Sequence, residues 1–179
     1  MDEIKNQDDA VEERPSKFKR FFIIIIAIFL AVLILSYILI NENVKATIQS
    51  ILISSRLENT TLQIDKSTKL IFNNESLATL NSIYDKNLEK EFKVCLNGKK
   101  IDNTYYIEET LQPKTFQQEY NFVVAEPCPS TSLVSLHTHP FKQCIPSQQD
   151  IENFKAFKKR NKDALLAVMC SKDLFFFYR

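Results

Sequence analysis

Apolar and polar positions divide the chain into zones of unlike pattern. Residues 21–40, FFIIIIAIFLAVLILSYILI, carry no charge over twenty positions, the length at which a helix rising about 1.5 Å per residue crosses about 30 Å of hydrocarbon. A cleavable signal has an apolar stretch of only about 7–15 residues ending in a small-residue site. The longer run, whose end offers only Ser36-Tyr37-Ile38, therefore predicts an uncleaved transmembrane signal anchor. Residues 1–20 form a charged tail, acidic first and then basic. Residues 41–61 are polar with Ile48, Ile51, Leu52 and Leu57 at helical spacing, which predicts a linker or stalk.

From residue 62 to 179 the pattern becomes that of a folded unit. Residues 62–72 read as a strand, and Asn73-Asn74-Glu75-Ser76 before Leu77, Leu80, Ile83 and Tyr84 predicts a short capped helix. A strand begins near Glu91 in EFKVCLNG, with Gly98, the chain's only glycine, ending it at a turn. Further strands are expected over 101–109, 120–125 and 133–139, a helix over 151–160, and a closing hairpin from 164–170 and 174–178. This order predicts an α/β fold, a mixed β-sheet sandwich with flanking helices.

Composition narrows the function. Apolar residues make up 45% and aromatics 11%, which excludes a mostly disordered chain. The net charge of +1 provides no electrostatic case for nucleic acid, so no nucleic-acid partner is expected. Arg14, Lys17, Lys19 and Arg20 precede the apolar run, against Lys45 and Arg56 after it. The positive-inside rule then predicts a single-pass membrane protein with a cytoplasmic N-terminus and an extracytoplasmic folded domain. Lys155, Lys158, Lys159, Arg160 and Lys162 line the polar side and end of the last helix; they read as a substrate or headgroup patch, or as a solvated face with cations favourably near a helix C-terminus.

The chain's two histidines stand together, in LVSLHTHP over 133–140. Alternate strand side chains share a face, so His137 and His139 project together. Downstream, Ser147-Gln148-Gln149-Asp150 precedes apolar Ile151, Phe154 and Phe157, which puts Asp150 in the first turn of a helix. Two imidazoles and a carboxylate with a fourth position open are the ligand set of hydrolytic zinc. Ser147 and Asp150 also form a capping box that needs no metal.

These residues, HTHPFKQCIPSQQD, resemble the His-x-His-Pro and Ser-x-x-Asp motif of the JAMM (MPN+) metallopeptidase family, and Glu91 in EFKVCLNG resembles the family's upstream glutamate. The resemblance covers residues 62–179 and implies a cytidine-deaminase-like fold. It implies a Zn2+ ion bound by His137, His139 and Asp150, with Glu91 as general base and the Ser147 hydroxyl as donor to the oxyanion. Glu89, two residues away, is the alternative base. The implied substrate is a protein or peptide, ubiquitin-like conjugates included, although the chain lacks the C-terminal helix and insertions of the ubiquitin-specific members. Two other readings are a RadC-like protein, whose histidine and Ser-x-x-Asp pattern is similar, and a membrane-anchored, non-catalytic scaffold or binding module.

All four cysteines follow the apolar run, on the side where disulfides persist. Cys128 lies just before the histidine strand and Cys144 between the candidate ligands, so one of the three possible connectivities, with a Cys128 to Cys144 bridge, would rigidify the site. Cys95 and Cys170 lie in apolar strands and read as bridged or as buried thiols.

Overall fold

A computed structural model describes residues 17–139 and 144–179; Pro140 of the histidine motif lies outside the described residues. The described residues separate into two compact units, divided between Glu42 and Asn43. In the first, α1 (Lys17–Ile40) has its charges in the opening turn and buries none of its residues. Its 24 residues have a mean hydropathy of 3.3 over the most apolar stretch, and it is the one helix among the described residues long and apolar enough to cross a membrane.

Helix α2 (Glu42–Ile53), all but its first residue in the second unit, leads into ten strands and two more helices among the described residues. The strands are β1 (Ser55–Glu58), β2 (Thr61–Gln63), β3 (Lys69–Phe72), β4 (Lys93–Ile101), β5 (Thr104–Leu111), β6 (Thr115–Gln118), β7 (Val123–Ala125), β8 (Ser132–Thr138), β9 (Leu165–Ser171) and β10 (Leu174–Tyr178). Helix α3 (Asn74–Lys86) follows β3 and α4 (Gln148–Arg160) follows β8.

The expected sheet sandwich is not what forms. Eight strands close a mixed barrel in the order β1-β10-β9-β8-β4-β5-β3-β2, and β1 completes the ring by pairing with both β10 and β2. The pairs β3 with β5 and β8 with β9 are parallel and the other pairs antiparallel. Closure rests on SRLE, residues 55–58, a four-residue segment with alternate half-buried and exposed positions. Its sequence is too polar to announce a strand, and it lies inside the stretch expected to be linker. Its hydrogen bonds to two partners leave the sheet without an edge, which removes the case for a second packed sheet.

Other boundaries move for local reasons. Residues 62–72 break into β2 and β3 because Asp65 accepts the backbone N–H groups of Ser67 and Thr68, folding a turn between them. These bonds hold the Asp65 carboxyl down at about 2. Strand β4 runs through Gly98 to Ile101. The glycine sits at a bulge where a Cβ would lie 1.9 Å from the Tyr106 carbonyl oxygen, so it marks a close backbone approach. The turn comes later, at Asp102, whose φ of 51° is left-handed. Strand β6 pairs with β7 in a separate two-stranded sheet, where a single strand over 120–125 was expected.

Alternation along the central strands builds two layers. Val94, Leu96, Val134, Leu136, Leu165, Ala167 and Met169 fill the barrel. Their neighbours of opposite parity, Cys95 and Leu166, pack outside against Phe154 and Phe157 of α4. Strands buried on both faces read as continuous apolar runs, as LLAVMC of β9 does.

The cysteines pair otherwise than expected. Cys128 bonds to Cys95 on the outer face of β4, and Cys144 bonds to Cys170 of β9. The Cys128 to Cys144 bridge is excluded because the outward parity of Cys95 and of Cys170 offers each loop cysteine a strand partner, with Cα atoms 5.5 and 5.4 Å apart.

Candidate metal centre

Strand parity brings His137 to the site. Val134 and Leu136 enter the core, so His137 leaves the outer face of β8, opposite Lys93 of β4 and Val168 of β9. His139 follows the last residue of β8, tied by its backbone N–H to Met169 O at 3.3 Å. The rings tilt 58° to one another with Nε2 atoms 3.0 Å apart.

Helix α4 presents the third group. Ser147 is its N-cap, and its side chain accepts from the Asp150 N–H at 3.2 Å. In return the Ser147 N–H and hydroxyl donate to Asp150 Oδ2 at 2.8 and 2.6 Å. This capping box aims the carboxylate: Oδ2 lies 3.3 Å from His137 Nε2 and 3.8 Å from His139 Nε2. The capping and ligand readings of Ser147 and Asp150 are thus compatible, one serving the other. Burial works to raise the Asp150 carboxyl, but the His137 ring and the Ser147 donors outweigh it and hold the group well below the usual carboxylate range.

The residues fit a metal. Three ligand atoms, all within 4.8 Å of one another, are separated by 3.0, 3.3 and 3.8 Å. Around an ion bonded at about 2.0–2.1 Å the edge of a tetrahedron is about 3.3–3.4 Å, and the three separations bracket it. Two imidazole nitrogens and one carboxylate oxygen suit zinc or iron(II) rather than the oxygen-seeking Ca2+ or Mg2+.

Glu91 stands beside this set. It precedes β4, its backbone N–H bonds to Glu119 O at 2.9 Å, and its Oε1 lies 3.7 Å from His139 Nε2. The side chain is buried, and burial first, then the Asp150 charge, pushes its carboxyl from the ordinary 4.5 up to about 7. Glu89 lies exposed in the turn after α3, which separates the two candidates for the base.

Five sequence-predicted residues, Glu91, His137, His139, Ser147 and Asp150, therefore meet in one place. Sequence reasoning missed Lys93, on the outer face between β4 and α4, where burial first and then Arg160 depress the ammonium's pKa against the opposing pull of Asp150. It also missed the wall that β7 builds across from α4. Two cavities, of about 410 and 350 Å3, meet at Asp150 and share Val123, Val124, Gln149 and Asn153. Glu91 and His139 line the smaller, Lys93 and His137 the larger. The alternation of Lys93 with Val94, two positions after Glu91, is the signal that places it on this face. Comparison of the chain with protein-family models and with curated proteins finds no match.

Proposed function

We propose that the protein is a membrane-anchored, zinc-dependent hydrolase that cleaves a peptide or isopeptide bond. The observation carrying this reading is the convergence of two imidazoles and a carboxylate, from the end of β8 and the first turn of α4, with a buried glutamate just before β4 that lies 3.7 Å from His139. His137, His139 and Asp150 would hold the ion. When bound, zinc supplies Lewis acidity, polarising a carbonyl oxygen and lowering the pKa of water to about 7. Glu91 takes the proton of the attacking water and returns it to the leaving amine, so that the water oxygen ends on the carbonyl carbon and the C–N bond breaks. The Ser147 hydroxyl, whose one proton is held by Asp150 Oδ2 in the resting site, would turn from it to donate to the developing oxyanion, while the Ser147 backbone N–H keeps its bond to Asp150.

The motif's similarity to the JAMM metallopeptidases supports amide chemistry in preference to a RadC-like role. The excess of Lys and Arg before the apolar run of residues 21–40 supports an extracytoplasmic domain, as do two disulfides, which persist in oxidising compartments. The test is metal content of the full-length chain in detergent, by elemental analysis for zinc and iron. About one zinc per chain is expected, lost in His137→Ala. Glu91→Gln should retain zinc while hydrolysis of a peptide library falls at least about 100-fold. A folded protein that takes up no zinc overturns the reading in favour of a non-catalytic scaffold, and undiminished cleavage by Glu91→Gln overturns the role of Glu91.

A further inference from the structure

The metal ligands and Glu91 occupy only one part of the cleft. In the larger cavity, Lys93 and His137 are direct partners across the β4–β8 ladder, so their Cβ atoms leave the same face about 5 Å apart. Lys93 is half-buried, and its ammonium makes no hydrogen bond or ion pair with any described residue. Arg160, at the last position of α4, lines the same cavity. Its guanidinium lies 5.9 Å from the Phe157 ring and makes one long bond, from Nη2 to Cys128 O at 3.5 Å, which leaves most of its donors uncommitted.

The balance of charge here is uneven. Asp150 is the one carboxylate among the described residues lining this cavity, and its Oδ2 is already taken by Ser147 and His137. A half-buried ammonium with no anion of its own, in a cavity that an exposed second cation also lines beside the site of reaction, is a costly arrangement unless an anion joins it. Gln149 and Asn153, on α4 with Arg160, supply further hydrogen-bonding groups to the same cavity. The geometry points to a carboxylate-binding subsite formed by Lys93 and Arg160, which selects substrates bearing a carboxylate next to the scissile bond. This deepens the hydrolase reading and rests on it for the ligand's being a substrate. The carboxylate comes either from the free C-terminus of the leaving residue or from an aspartate or glutamate side chain.

Binding separates these sources without hydrolysis. Zinc-depleted, full-length protein in detergent is titrated calorimetrically with three N-acetylated tetra-alanine peptides. One has a free C-terminus, one a C-terminal amide, and one the amide with aspartate at its third position. At least one carboxylate peptide should bind about tenfold more tightly than the neutral amide, since charge-assisted hydrogen bonds are roughly twice as strong as neutral ones. The free-acid peptide assigns the terminal source and the aspartyl peptide the side-chain source. Lys93→Gln should reduce the preference to about twofold or less and Lys93→Arg should keep it. Arg160→Gln, at an exposed helix end, should weaken it even if Lys93→Gln fails to fold. Equal binding of all three peptides by the wild type, or a preference that survives both glutamine variants, overturns the subsite. With zinc restored, hydrolysis without carboxylate preference overturns the subsite alone. Preference without hydrolysis overturns the hydrolase reading and leaves the subsite as a binding site.

Discussion

Glu91 shows how a single side chain carries both a cost and a use. Its burial beside the Asp150 carboxylate pushes the carboxyl up to about 7, so between pH 4.5 and about 7 the unfolded chain has released a proton that the folded chain still holds. Native binding of the extra proton means that stability falls as pH rises through this window and stays lower above it. In the metal-free protein, Glu91→Gln should therefore match the wild type near pH 4 and exceed it near pH 8, by about 1–3 kcal/mol. Thermal unfolding at the two pH values checks this, and a gap that does not change with pH would mean that Glu91 is not strained by burial. Zinc affinity should run the other way, falling toward acid as protons compete for His137 and His139. At this scale the sequence was most informative: residue types at fixed spacing, His-x-His and Ser-x-x-Asp, are local facts. Lys93 was harder to see, because nothing in EFKVCLNG tells which cross-strand partner a lysine will have.

Elements make these residues meet. The capping box that starts α4 is readable in four residues, and it also turns the Asp150 carboxylate toward the histidines. The least readable element is β1. Its Ser55 and Arg56 pair with β10 and its Leu57 and Glu58 with β2, so it closes the ring. A chain beginning at residue 62 should expose the edges of β2 and β10, lose more than about 5 °C in melting temperature against a chain beginning at residue 43, and aggregate. Equal melting temperatures would show that closure contributes little. Strands β8 and β9, with apolar side chains on both faces, announce themselves; a four-residue strand with one half-buried leucine does not.

For the whole molecule, α1 and the disulfides bear on where the barrel works. If the domain is extracytoplasmic, a C-terminal tag on the full chain should be cut by protease added outside intact cells or spheroplasts, and an N-terminal tag should survive. The reverse pattern would place the domain in the cytoplasm and turn the substrate search there. The long apolar helix, the helix caps and the candidate ligands follow from composition and short spacings, because each depends on interactions within a few residues. The barrel in place of a sandwich, the pairing of Cys95 with Cys128 and Cys144 with Cys170, and the choice of Glu91 over Glu89 do not. Each depends on which distant segments share a ladder, and hence on which face each side chain leaves. That is a property of register, and register is settled by the whole core at once.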